Sequence, residues 1–491
     1  MTSGAPETTT VALPPPLTAR TKLAYGVGAV ALGLKDNGFS YLLLLFYNQV
    51  VGLPAATVGL AIMIALVVDA VFDPIIGQVS DNLRSRWGRR HPFMYASALP
   101  IALSYLLLWN PPMSWSHEAL FYYLIVVAVL IRTFLAMFEI PSSALAPELT
   151  VDYDDRTKLL SYRAAFNWYG ALIMSLAVFQ VFLRPDAAHP VAQLNPSGYS
   201  DYGLVSAALM FVVILLSALG THNRIPYLRA PPARRTSLLQ GFRDMLGAMA
   251  NRALVPMLMA GIFNAMAYGL SVALSLYFNT FLWGFTAQQV SFFIMTQFLS
   301  SALAIAIAAP LSARLGKRNA TILAKVVVPL VGLAPIVLRL LDLFPANGHV
   351  LLLPIMLVTH MVSVTAASVV AILHGSMIAD VVEDHELSSG QRSEGVFVAA
   401  NIFIAKATSG VGIFASSMLL LAVGFPDGAQ PGSVDPTVIR NLALIYAPSL
   451  LVMHLCAISS IMLYRITRES HARTVAALAD RALLATKPPH L

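Results

Sequence analysis

The sequence predicts an all-α integral membrane protein whose chain crosses the bilayer about twelve times, in two sets of six. Three observations carry that prediction. Only 11% of its 491 residues are charged and 57% are hydrophobic, where a soluble protein averages roughly 25% charged. So little charge does not cover a water-facing surface. Apolar runs of about 20 residues recur along the chain, the length that crosses roughly 30 Å of hydrocarbon. Lys and Arg gather in alternate loops between those runs.

The runs lie near 23–50, 55–80, 93–110, 119–147, 160–183 and 203–220, then near 253–283, 287–310, 320–341, 349–380, 393–424 and 437–466. Several exceed a single span, which implies tilt or extension past the bilayer. Basic residues cluster at 84–90 ("RSRWGRR"), 156–158, 224–252 and 314–318, and again after 465. The loops near 50–56, 110–118, 184–202, 283–288, 342–350 and 425–436 hold almost none. Positive loops stay cytoplasmic, and an even number of spans then keeps both termini there. The net charge of +7 is spread over these separate loops, so it reads as topology rather than a nucleic-acid surface.

The organisation that follows has five parts. Residues 1–20 are polar and Pro-rich and are expected to be disordered. They lack a basic stretch followed by an apolar core, so no cleavable signal peptide is expected. A six-helix bundle over 21–220, a basic cytoplasmic loop over 221–252, a second bundle over 253–466 and a cytoplasmic tail over 467–491 complete the chain. In the tail, "SHARTVAALADRALLA" has helical character. Cys456 is the only cysteine, which excludes an intramolecular disulfide and a cysteine metal cluster. It reads as a small buried residue of the last span.

The two halves repeat a loop. "GQVSDNLRSRWGRRHP" follows the second run and "LSARLGKRN" follows the eighth, each a basic turn with Gly before a pair of cations. Parallel repeats of this kind build transporters that rock around a central site. The loop pattern resembles the signature of the major facilitator superfamily. That resemblance implies a latch of the inward-closed state made by Asp81 with Arg89 and Arg90. The plainer alternative makes Gly88–Arg89–Arg90 a topology anchor alone.

Charges inside the spans are the candidate functional residues, because each costs about 2.5–3.5 kcal/mol to insert. They are Lys35 and Asp36, Asp69 and Asp73, Arg132 and Glu139, Arg163, and Lys406. "DVVEDHE", Asp380 to Glu386, ends the tenth run and reads as a solvated cytoplasmic face or a gate. Within "LVVDAVFDPIIG", Asp69 and Asp73 stand four residues apart, on one helix face. Two acids there repel unless one is protonated or a cation sits between them. A hard monovalent cation such as sodium suits oxygen-only ligation, Glu139 supplies a third oxygen, and a proton on one acid serves equally. No Cys or His cluster suggests a transition metal. Two other readings remain open: structural ion pairs of the acids with Arg132, Arg163 or Lys406, and Asp73 as the cap of a helix break at Pro74. Arg132 has no assigned role.

Five stretches together resemble the glycoside–pentoside–hexuronide:cation symporter family, over roughly residues 20 to 465. They are "KLAYGVGAVALGLKDNGFSYLLLLFY", "DAVFDPIIGQVSDNLRSRWGRRHPF", "EIPSSALAPELT", "DRTKLLSYRAAF" and "MIADVVEDHE…EGVFVAANIFIAKATSG", in family order. The resemblance implies Asp69 and Asp73 as cation ligands, with Glu139 near both cation and substrate. It implies Asp36 and Arg163 as partners of substrate hydroxyls, and Lys406 as a link from the cavity wall to the acids. The chain departs from the sugar-transporting members at Glu139 (Asp there), Ala136 (Thr), Ser143 (an aromatic) and Leu66 (Arg). A cousin branch, the sodium-dependent lysophosphatidylcholine symporters, keeps the paired Asp and residues comparable to Arg163 and Lys406. Asp36 leans toward a hydroxyl-rich substrate.

The function expected is therefore cation-coupled symport of a sugar or glycoside by alternating access, with symport of a lysophospholipid or other amphiphile as the alternative. Its partners are a small-molecule substrate and the bilayer, with no nucleic acid and no cofactor beyond the coupling ion, sodium or proton. A single chain is expected to suffice, and the location is a cell membrane, in the reading a bacterial inner membrane. An enzyme is disfavoured: His360, His374 and His385 lack a metal-ligand spacing, and no Ser/His/Asp set shares one depth. A channel would need a pore loop or charged ring, and neither is visible.

Overall fold

The computed structural model describes residues 16–150, 152–228, 247, 254–389 and 394–486, with side chains at all of these except 153–154, 388–403, 405–407, 409, 479 and 481–486. Residues 1–15, most of the 221–252 loop and the side chain of Lys406 therefore lie outside the described residues. Among the described residues, twelve long helices run in order. They are α1 (Ala19–Val50), α2 (Ala55–Asn82), α3 (His91–Leu108), α4 (His117–Leu149), α5 (Asp155–Phe182) and α6 (Pro196–His222). The second set is α7 (Val255–Leu282), α8 (Ala287–Leu315), α9 (Lys317–Leu340), α10 (Leu352–Ser389), α11 (Glu394–Ala422) and α12 (Pro436–Met462). The tail forms α13 (Arg468–Thr486). Among the described residues, all of α1–α10 and α12 are long and apolar enough to cross a membrane, and α11 has the apolar stretch Gly410–Ala422.

Helix is the form these runs take because lipid offers no partner to a free N–H or C=O. At four helix starts away from the basic loops, those of α4, α6, α8 and α12, a side chain meets an exposed N–H. Ser116, Asn195, Thr286 and Asp435 accept from the N–H groups of Ala119, Ser197, Gln289 and Thr437 at 3.3, 3.1, 3.2 and 2.8 Å. α1 starts earlier than the apolar run because Thr18 accepts from Thr21 N–H at 3.2 Å. On α2, Val67, Val71, Ile75 and Val79 recur every fourth residue and are exposed, a lipid-facing stripe. Ala61, Ala65, Asp69 and Ser80 are buried on the other side.

The packing repeats with a shift of six helices. α2 packs on α4, α3 on α4 and α6, and α1 on α5; α8 packs on α10, α9 on α10 and α12, and α7 on α11. Across the halves α2 meets α11 and α5 meets α8, which is the same relation under that shift. The α2–α11 approach is close: a Cβ on Gly410 would stand 1.9 Å from Leu66 Cδ1. The repeated basic loops match as well. Gly88 and Gly316 both take left-handed φ, +70° and +76°, immediately before their cation pairs. Only glycine enters that region freely.

At the end away from the basic loops, α1 and α7 finish in the same wide winding. Residues Phe46–Val50 and Phe278–Leu282 are π-helical turns. Each is followed by one more shared bond, Leu53 N–H to Tyr47 O at 2.9 Å and Phe285 N–H to Asn279 O at 2.8 Å. α1 holds a second π turn at Gly38–Leu42, and α5 ends in one at Val178–Phe182.

Candidate functional site

Asp69 faces α4. Its Oδ2 accepts from Arg132 Nη1 at 3.0 Å, and both side chains are buried. The Arg132 guanidinium also lies over the Phe39 ring of α1, 5.0 Å from its centroid. α2 and α4 are one packed pair, so this buried ion pair fixes their register. Asp73, one turn nearer the basic loop, is half-buried with one carboxylate oxygen shielded from solvent. Pro74 sits inside the unbroken α2, so Asp73 does not cap a helix start. Among the described residues no three His, Cys, Asp or Glu side chains converge; Asp69, Asp73 and Glu139 do not close into one shell here.

Arg163 of α5 reaches α4 instead of open space. Its Nη1 donates to Ser142 Oγ at 2.8 Å and its Nη2 to the Glu139 carbonyl at 3.4 Å. Ser142 Oγ in turn donates to that same carbonyl at 3.1 Å. Arg163 thus ties α5 to the stretch of α4 around Pro141, where the proline ring removes a helical N–H. Asp36 pairs with its neighbour Lys35, yet its side chain stays 62% exposed, while Lys35 is buried. Tyr268 of α7 lies within electrostatic reach of Asp36 and is itself exposed. Asp36 therefore stands at the junction of the halves.

Aromatic side chains that the sequence did not single out line the α5–α8 contact. Trp168 Nε1 donates to Ser301 Oγ at 3.2 Å, and Tyr169 stacks on Phe298 at 5.8 Å. Both stay more than two-fifths exposed, at 44% and 43%. The aromatic surface absent at Ser143 is present here. No local pattern could have marked these residues, since their exposure arises only from how the bundles meet.

At the basic-loop end the expected latch residues do meet. Arg90 binds Asp81 at 2.5 Å and Glu148 at 3.1 Å, and Arg89 binds Glu148 at 2.6 Å. Glu148, near the end of α4, joins both arginines and went unassigned in the sequence; its signal is an acid in "APEL" at the depth of the basic turn. The equivalent place in the other half holds Lys317 with Asp380 at 2.6 Å. Asp380 is buried, so the "DVVEDHE" stretch is not a simply solvated face there. The opposite end joins the halves by hydrogen bonds. Asn48 Nδ2 donates to Asp427 at 2.6 Å, Ala429 N–H to Gln49 Oε1 at 2.7 Å, Tyr277 Oη to Asn48 Oδ1 at 2.8 Å, and Gln180 Nε2 to Ser291 Oγ at 2.6 Å.

The chain can be set beside known proteins. The uncharacterized symporter sll1374 of Synechocystis sp. is 32% identical over 56% of this chain and 46% of its own, so the match spans about half of that relative. The isoprimeverose transporter of Lactiplantibacillus pentosus is 24% identical over 82% of this chain and 80% of its own. The sodium-dependent lysophosphatidylcholine symporter 1-A of Danio rerio is 23% identical over 89% and 84%. The crystal structure of the nucleoside transporter NupG superposes with a TM-score of 0.57 at 14% identity, covering 92% of this chain and 100% of the other; that likeness is one of fold. The profile of the family described as MFS/sugar transport protein matches residues 24–468, nearly the whole helical array, and the chain belongs to that family.

Proposed function

We propose that this protein is a cation-coupled symporter of a sugar or glycoside, working by alternating access between its two bundles. The observation that carries the reading is the buried Asp69–Arg132 pair one turn from half-buried Asp73. A buried acid held by an arginine is a site at which a cation can compete. Sodium or a proton arriving at Asp69 and Asp73 takes over the role of the Arg132 guanidinium and frees α4 to move against α2. Glu139 lies on α4 beside the Arg163 clamp, so such a movement reaches the residues expected to meet substrate. Asp36, Trp168 and Tyr169 offer what a sugar needs, a carboxylate for hydroxyls and flat aromatic faces for the ring. Lys406 of α11 belongs to this set by the family resemblance alone.

The basic-loop end faces the cytoplasm in this reading, with both termini there, in the inner membrane of a bacterium. The latch of Asp81, Arg89, Arg90 and Glu148 then works at the cytoplasmic gate, and the Asn48–Asp427 contact closes the outer one. A single chain carries out the cycle. The alternative substrate is an amphiphile, supported by the similarity to a lysophosphatidylcholine symporter over most of the chain.

The test is uptake into proteoliposomes of a labelled glycoside panel and, in parallel, a labelled lysophospholipid, with and without an inward sodium gradient. Sodium-stimulated glycoside uptake that disappears in Asp73→Asn is the expected result. Uptake of the lysolipid alone moves the chain to the lipid branch, and coupling that survives in Asp73→Asn removes the paired acids from the cation site.

A further inference from the structure

A second group of ionisable side chains lies in the C-terminal bundle, away from every residue used above. Lys325 of α9 is 2% exposed, and its Nζ bonds Asn264 Oδ1 of α7. His454 is buried on α12, which packs on α9, within electrostatic reach of Lys325. Among the described residues, His454 Nδ1 has no hydrogen-bond partner and Lys325 forms no ion pair. The three residues share one depth. Lys325 lies eight residues beyond Lys317, Asn264 nine beyond Val255, and His454 eight before Met462, or roughly 12–14 Å in from the basic-loop end at 1.5 Å per residue. An apolar layer that includes Met257, Met377, Val381 and Ile461 packs nearer that end.

We propose that Lys325 and His454 form a proton-binding site, holding at most one proton between them, distinct from the acids of α2. Among the described residues no acid forms an ion pair with either group, and two buried basic groups so placed disfavour each other's charge. A neutral lysine there is tolerable, because its amine still has an N–H to give Asn264 Oδ1, in a weaker bond than the ammonium makes, so the proton leaves without orphaning the carboxamide. A proton also needs no space, and none of the three cavities described in the molecule is lined by these residues. The neighbouring elements place few other titratable groups nearby. α10 carries His360, which bonds Thr296, then His374 and Asp380, which Lys317 already holds, and nearer its end Glu383, Asp384, His385 and Glu386. α8 carries Arg314 in its last turn. On α11, Glu394 and Lys406 have side chains outside the described residues. Lysine suits the task because, unlike arginine, it gives up its proton when buried. α9 and α12 pack on each other and α7 packs on α12, so a change of charge here acts on the contacts inside the moving half. The proposal does not rest on the sugar reading or on the role of Asp73.

Charge displacement on a solid-supported membrane tests it with protons as the only probe. Proteoliposomes of the full chain in sodium- and substrate-free buffer are stepped from alkaline to mildly acid pH. The parent and Asp73→Asn are expected to give a transient charge movement. In the Asp73→Asn background, where the α2 pair no longer contributes, Lys325→Met is expected to fall to the level of protein-free liposomes, and His454→Gln to give a weakened signal. Lys325→Arg keeps a cation of similar reach but cannot release it, so it too should be silent; it decides the matter if Lys325→Met does not elute as a folded, monodisperse protein. A full signal in that background in a folded Lys325→Met or in Lys325→Arg, or loss of the signal in Asp73→Asn alone, overturns the proposal. In the last case the proton belongs to the α2 acids.

Discussion

In the N-terminal bundle, Arg89 and Arg90 follow Gly88 and share Glu148; in the C-terminal bundle, Lys317 follows Gly316 and takes Asp380. The layouts match, and the chemistry differs. A guanidinium is a flat fork that bonds two acceptors at once, so Arg90 alone links Asp81 and Glu148 across α2 and α4. An ammonium is a point charge, and the C-terminal network recruits help from beyond α12. Tyr464 Oη donates to Asp380 at 3.1 Å, and His471 of α13 reaches Asp380 at 3.3 Å and Glu383 at 2.7 Å. Burial, and then the Asp380 charge, push the Tyr464 phenol up in pKa, so it stays a donor. The N-terminal latch is complete within its bundle and sealed around Glu148, with Asp81 half exposed, while the C-terminal one is more open at its cation and includes the tail helix as a working part.

Breaking the sealed network should cost most. Glu148→Ala leaves two buried arginines short of a carboxylate, and loss of one member of a buried pair costs about 3–5 kcal/mol. Thermal unfolding of the purified protein should drop accordingly, with transport lost. Asp380→Asn should cost less, about 1.5–3 kcal/mol, because Asn keeps an acceptor and Lys317 and His471 can turn to water. Equal losses in the two variants would erase the distinction between sealed and open latches. Smallest is His471→Ala, about 1 kcal/mol or below for a part-exposed pair.

Much of the fold was legible because its signals are local. Apolar run length gave the helices, loop charge gave their alternation, and a glycine before two cations marked the repeat. The pairing of Asp69 with Arg132 stood among the open readings, and only the side-chain reach between residues 63 apart in sequence decides it. Glu148 was invisible as a partner because its arginines lie 58 and 59 positions away and nothing near an acid announces a distant cation. Arg163, expected to meet substrate hydroxyls, holds α4 here through a hydroxyl and a backbone carbonyl 21 and 24 positions away, acceptors that no spacing rule describes. The tail's helical character was readable; its docking through His471 was not.

The wide turns that end α1 and α7 have a mechanical meaning. A π turn stores one surplus residue in an otherwise regular spring. Rewinding it to α geometry would turn everything beyond by about 100° and advance it by about 1.5 Å. Asn48 and Asn279 sit within those coils, and Asn48 holds Asp427. A single slip of winding would swing the clasp off its catch without bending either rod, and the matching coil in the other half would let both sides slip together.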